Sequence, residues 1–123
     1  MKNLTLEEAI KAGYAIKRPD KAPKQLRELC EDLGPNYHLA STVELSNGVK
    51  DSVIHRVIGD GYDIEIYRHP GRSGRFIIVL WEGYGSHSIA ELRDVPFGNV
   101  GDRVMELVAT WCPPDVCKEF WNN

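Results

Sequence analysis

The stretch from Gly61 to Glu82, GYDIEIYRHPGRSGRFIIVLWE, constrains the fold more than any other part of the chain. Tyr62, Ile64 and Ile66 alternate with Asp63, Glu65 and Tyr67, the period of two that sends successive side chains to opposite faces of a strand. His69-Pro70-Gly71-Arg72-Ser73-Gly74 follows, a run of turn-forming residues. Arg75 to Trp81 is apolar at odd and even positions alike, which suits a central strand with neighbours on both sides. The segment predicts a β-hairpin that anchors an antiparallel sheet and carries arginine into solvent at its tip.

The flanking sequence extends this sheet. From His38 to Ser46, Leu39, Ser41, Val43 and Leu45 alternate with Ala40, Thr42 and Glu44, and Asn47-Gly48 is a tight-turn signal. Ser52 to Ile58 predicts another strand, with Gly59-Asp60-Gly61 as a turn; the alternative is one long bent strand from Val53 to Tyr67. Ser86 to Leu92 closes the meander after Gly83-Tyr84-Gly85. Helices are expected on either side. Thr5 with Glu8 forms a capping box before Leu6, Ala9 and Ile10. Pro23 to Leu33 places Leu26, Leu29, Cys30 and Leu33 on one face, ending at Gly34-Pro35-Asn36. Asn99 is the expected cap of a C-terminal helix in which Val100, Val104, Leu107, Val108 and Trp111 recur at helical spacing. Pro113-Pro114 stops it, and a last turn runs from Asp115 to Trp121. The order implies an α+β protein, one domain over 1–123, with an antiparallel four- to five-stranded meander sheet, N-terminal helices and a C-terminal helix packed on one face.

Charge narrows the partners. The chain has 15 basic and 18 acidic residues, a formal charge of −3, which disfavours nucleic acid as a general ligand. The charge is uneven. Lys11, Lys17, Arg18, Lys21, Lys24 and Arg27 face Asp20 alone, and Arg68, Arg72 and Arg75 surround the hairpin. No apolar run is long enough to span a membrane. MKNLTLEEAIKAG has acidic residues where a secretion signal has an apolar run, so a cytoplasmic setting with reduced thiols is the expectation.

The chemistry-bearing strings are weak. Cys112-Pro-Pro-Asp-Val-Cys117 follows Trp111, but redox cysteines need C-x-x-C spacing with the first at a helix N-terminus, and Cys112 ends a helix. With Cys30 the only other thiol, no zinc set is expected. Among the histidines His38, His55, His69 and His87, no pair has i, i+4 spacing; His55 and His87 sit in predicted strands and could meet across the sheet. Ser86 and His87 are strand neighbours pointing to opposite faces, which excludes them as nucleophile and base. No catalytic residue, metal ligand or cofactor is therefore assigned.

Leu6-Glu-Glu-Ala-Ile-Lys-Ala-Gly-Tyr-Ala-Ile-Lys-Arg-Pro19 is similar to the helix-to-strand opening of a group of small phage-borne proteins. The rest of the chain lacks that group's tryptophan-rich ending, and no site residue is carried over. The expected function is that of a small non-enzymatic binding protein occupying a partner protein's surface, as inhibitors, immunity proteins and accessory proteins of phage or mobile elements do. Its expected contacts are Arg68, Arg72, Arg75, Lys17 and Arg18, because clustered guanidinium groups suit carboxylate or phosphate recognition. One alternative is a small-ligand or nucleotide pocket between sheet and helix, using His55, Tyr62, Tyr84 and His87. The other is nucleic-acid binding through the basic segments.

Overall fold

The computed structural model describes residues 23–44 and 50–122. The expected capping-box helix near Thr5, the Asn47-Gly48 turn, and Lys17 and Arg18 lie outside them. Helix α1 spans Lys24–Leu33, followed by strands β1 (His38–Glu44), β2 (Lys50–Ile58), β3 (Tyr62–Arg68), β4 (Arg75–Glu82) and β5 (His87–Pro96). A short 3-10 turn, Phe97–Asn99, leads into helix α2 (Val100–Trp111), and helix α3 spans Pro114–Asn122. The strands form one antiparallel sheet in the order β1-β2-β3-β4-β5. The turn 59–61 separates β2 from β3, so the long bent strand does not occur.

Period two decides which face each side chain serves. Ile54 lies opposite Ile66, Ile64 opposite Leu80, and Ile66 opposite Ile78, building one apolar surface across three strands. All three helices pack on it: Leu26 and Leu29 of α1, Val104, Leu107 and Val108 of α2, and Val116 and Phe120 of α3 join the same core. Phe76 to Leu80 are all buried, as the apolar run of β4 requires. On the second face Val53, Ile77 and Val79 are buried too, outside the core under the helices.

The sheet irregularities follow one rule. Ala40 and Val43 pair with Val53 and Asp51; Phe76 and Ile78 pair with Val95 and Leu92; Leu80 and Trp81 pair with Ala90 and Ser88. In each case the extra residue falls in an edge strand, β1 or β5. Bulges there twist the exposed backbone away from pairing with another chain. Strand β5 also runs on to Pro96, beyond the expected end at Leu92.

Two sequence expectations at the C-terminus are corrected. Asn99 has helical backbone angles and makes no side-chain capping bond, because the 3-10 turn already leads the chain into α2. Trp111 shares the spacing of the core residues but is 54% exposed. It is the last residue of α2, and the next residue, Cys112, already lies beside Tyr62 at the start of β3. The helix has reached the end of the strands, so its final apolar position has less sheet beneath it. Leu107, one turn earlier, is buried, and Leu107→Ala is expected to cost about 2–3 kcal/mol. A denaturant titration showing a loss below about 1 kcal/mol would place that helix face outside the core.

Candidate functional site

Three groups of side chains are candidates, and the fold distributes them to different places. The first is the β3–β4 hairpin tip. His69 N–H donates to Arg75 O at 2.8 Å and Gly71 N–H donates to His69 Nδ1 at 3.0 Å, which shapes the loop. Arg72 ion-pairs with Asp94 of β5, and Arg75 Nε lies 3.9 Å from the same carboxylate. One acid thus serves two of the three arginines. The tip is less cationic than its sequence implies, and it is braced against β5 instead of projecting alone.

The second group lies on the sheet face opposite the helices. His55 pairs in register with His38 on one side and Glu65 on the other, not with His87. Its Nδ1 is 3.9 Å from Asp63 Oδ2 and its Nε2 is 3.7 Å from Glu65 Oε2. Tyr67 donates its hydroxyl to Glu65 Oε2 at 2.9 Å. Asp63 Oδ1 is buried with no hydrogen-bond partner among the described residues. Burial, with a smaller contribution from the Glu65 charge, raises the Asp63 carboxyl to about 7. Burial likewise raises Glu65, against the lowering effect of the Tyr67 hydrogen bond, and lowers the His55 imidazole to about 4. Tyr67 is pushed up, by burial first and then by Glu65. The cluster therefore favours a neutral imidazole beside a protonated Asp63 near pH 6.

The third group is at the end of the sheet where the β2–β3 and β4–β5 turns meet α3. Gly83, Tyr84 and Gly85 all have positive φ, 63°, 58° and 83°. For a tyrosine this left-handed conformation costs roughly 1–2 kcal/mol. Tyr84 N–H donates to Gly61 O at 3.0 Å and its hydroxyl donates to Asp60, so the residue is held across both turns. Its ring is nevertheless 76% exposed. Burial first, and then the nearby charges of Glu82 and Asp115, raise the Tyr62 hydroxyl. Gly59 (φ 59°) leaves no room for a side chain, because a Cβ would fall 2.7 Å from Val116 of α3. That contact fixes α3 against the turns.

The four predicted pocket residues accordingly divide. Tyr62, Tyr84 and His87 gather at the turn end, with His87 opposite Glu82. The expectation that Ser86 and His87 point apart is corrected, because Ser86 lies in the turn before β5 and its Oγ is 3.0 Å from His87 Nδ1. His55 is on the other face of the sheet from Tyr62, since Ile58 and not His55 pairs with Tyr62. The sequence reading did not single out Asp63, Glu65 and Tyr67 as a site. Their alternation was visible, but their encounter with His55 depends on the hairpin register.

All three cysteines are free. Burial raises the Cys30 thiol to about 11 and that of Cys112 to about 12, and Cys117 Sγ–H donates to Val108 O at 3.3 Å. Cys30 and Cys112 therefore have little thiolate character, and all three cysteines pack against the core. Among the described residues no group of three or more His, Cys, Asp or Glu is arranged to hold a metal ion, and no helix is long and apolar enough to cross a membrane. No protein-family model, no curated protein and no solved structure matches the chain.

Proposed function

We propose that this chain is a small non-enzymatic binding protein that acts by occupying a partner protein's surface, in the manner of an inhibitor or immunity protein, and that the turn end is its contact surface. The observation that carries this reading is Tyr84. A bulky residue is held in a conformation that glycine would adopt without strain, and its ring is left in solvent. Core packing gives no reason for that arrangement. Backbone strain of this kind concentrates at functional positions, and tyrosine and tryptophan are enriched among the few residues that dominate binding at protein interfaces. Trp111, the residue before Cys112 at the end of α2, is a second exposed aromatic. Trp121, 51% exposed and edge-on to Phe120, offers a further aromatic on α3.

The test separates strain from function. Tyr84→Gly removes the strained side chain, so its thermal melt is expected to equal or exceed that of the unmodified chain. Affinity capture from the native host should recover a partner with the unmodified chain and lose it with Tyr84→Gly. Equal recovery by both would refute the assignment.

A second reading, a small-ligand site, is favoured by the His55–Asp63–Glu65 cluster, where perturbed titratable groups converge. A thermal-shift screen of small metabolites distinguishes it. A hit abolished by His55→Gln and untouched by Tyr84→Gly would move the function to that face.

A further inference from the structure

The chemistry of the turn end names the kind of partner it fits. Three chain segments meet there: Gly59 to Tyr62, Glu82 to His87, and Trp111 to Val116. Between them they carry Asp60, Glu82 and Asp115 and contain no lysine or arginine. Asp60 and Asp115 are exposed. Beside these carboxylates stand the rings of Tyr62 and Tyr84, the latter largely in solvent, and the exposed Trp111 begins the third segment. The Tyr84 hydroxyl bonds Asp60, which fixes the ring next to a carboxylate. The arginines lie at the opposite end of the strands, where Asp94 engages Arg72 and Arg75. At the turn end the Tyr62 and Tyr84 rings are set among these acids, and the nearest cation of the described helix α3 is Lys118, one turn beyond Asp115.

We infer that the turn end receives a cationic segment of a protein partner, a loop or chain end whose arginine or lysine side chains lie over the Tyr84 ring and pair with Asp60 and Asp115. The inference rests on the reading of Tyr84 as a contact residue and adds the charge of what it contacts. Aromatic faces attract cations through the ring quadrupole, most strongly for indole and phenol. Adjacent carboxylates add directional pairing, which a guanidinium can satisfy with two parallel hydrogen bonds. An acidic partner would meet Asp60, Glu82 and Asp115, with only Lys118 of the described helix α3 to offset them, a like-charge juxtaposition that interfaces avoid.

The probe is a short capped peptide of alternating glycine and arginine, titrated into the 15N-labelled chain at low salt, with a glycine–glutamate peptide as control. The arginine peptide is expected to give saturable amide shifts confined to 59–62, 82–87 and 111–116, weakened by added salt as exposed charge pairs are. The glutamate peptide should give none. Tyr84→Gly should weaken the apparent affinity about threefold, the loss of one exposed cation–aromatic contact, while Tyr84→Phe keeps most of it. Asp115→Asn should weaken binding and reduce its salt dependence. Shifts that map to Glu91 and Asp94, or a titration indifferent to Tyr84→Gly, would overturn the inference. Absence of any saturable shift would also overturn it. If the peptide fails while capture of a host partner still depends on Tyr84, the cationic assignment falls and the binding function stands. If both fail, both fall.

Discussion

Arg56→Ala is expected to destabilise the chain by about 3–5 kcal/mol and to release α3 from the sheet. Arg56 is on the core face of β2, in step with Ile54 and Ile58, and it is buried. Its guanidinium carbon lies 3.8 Å from the centroid of the Phe120 ring and 5.1 Å from that of Tyr37. One nitrogen donates to Phe120 O at 2.7 Å and another to the Tyr37 hydroxyl at 3.4 Å. Phe120 O is among the last carbonyls of α3, which lack partners within their own helix and carry the negative end of its dipole. A buried cation therefore caps a helix while filling the space between two rings. Alanine would remove the charge-assisted bond, strand the carbonyl and open a cavity together. Arg56→Lys should recover little, because an ammonium cannot stack flat between the rings and bond to both sides. Urea titration gives the cost, and exchange of the α3 amides shows whether that helix detaches first. A loss under about 1 kcal/mol would mean that α3 is held by Val116 and Phe120 packing alone.

Asp63→Asn is expected to stabilise the chain, by an amount that grows with pH. In the folded chain Asp63 holds its proton up to about 7, against an ordinary value of 3.8. Between those values the folded state binds a proton that the unfolded state has lost, so this group's contribution to stability falls as pH rises. His55 acts in the opposite sense. Its folded value is about 4 against 6.5, so it contributes stability that grows as pH rises from about 4 to about 6.5. Glu65, also raised by burial, acts in the same sense as Asp63, so His55 offsets only part of their loss in the unmodified chain. Asparagine keeps the shape of the neutral acid and removes only the Asp63 effect. The variant should match the unmodified chain near pH 4 and exceed it by about 4 kcal/mol at pH 8, at about 1.4 kcal/mol per pKa unit. Urea titrations at pH 4, 6 and 8 check this. A stability difference independent of pH would contradict the buried, protonated state of Asp63.

These two residues also show where sequence reasoning stops. The sheet was legible because Tyr62, Ile64 and Ile66 alternate at strand period and 75–81 is apolar throughout; turn residues between them left one way to join the strands. Helix α1 and the core positions of α2 were legible for the corresponding reason at helical period. Trp111 was misplaced because spacing gives the direction of a side chain, not where the helix outlasts the sheet beneath it. Arg56 carries its signal in its parity. It shares the parity of Ile54 and Ile58, which makes it a core position occupied by a cation. The His55–Glu65 pairing could not be read at all, because a one-residue change in the 59–61 turn would oppose different partners. The arginine tip was legible as charge, but its neutralisation depends on Asp94, distant in sequence and brought beside it by β4–β5 pairing. Tyr84 was visible between two glycines. Its positive φ and exposed ring were not.

The most direct test of the account is to map the bound surface by amide shifts of the 15N-labelled chain mixed with the partner captured from the native host. The account predicts perturbations concentrated at 59–62, 82–87 and 111–116, with the 71–75 hairpin and the His55 face unmoved. Perturbations centred on His55, Asp63 and Glu65, or on Arg72 and Arg75 with the turn end silent, would contradict it.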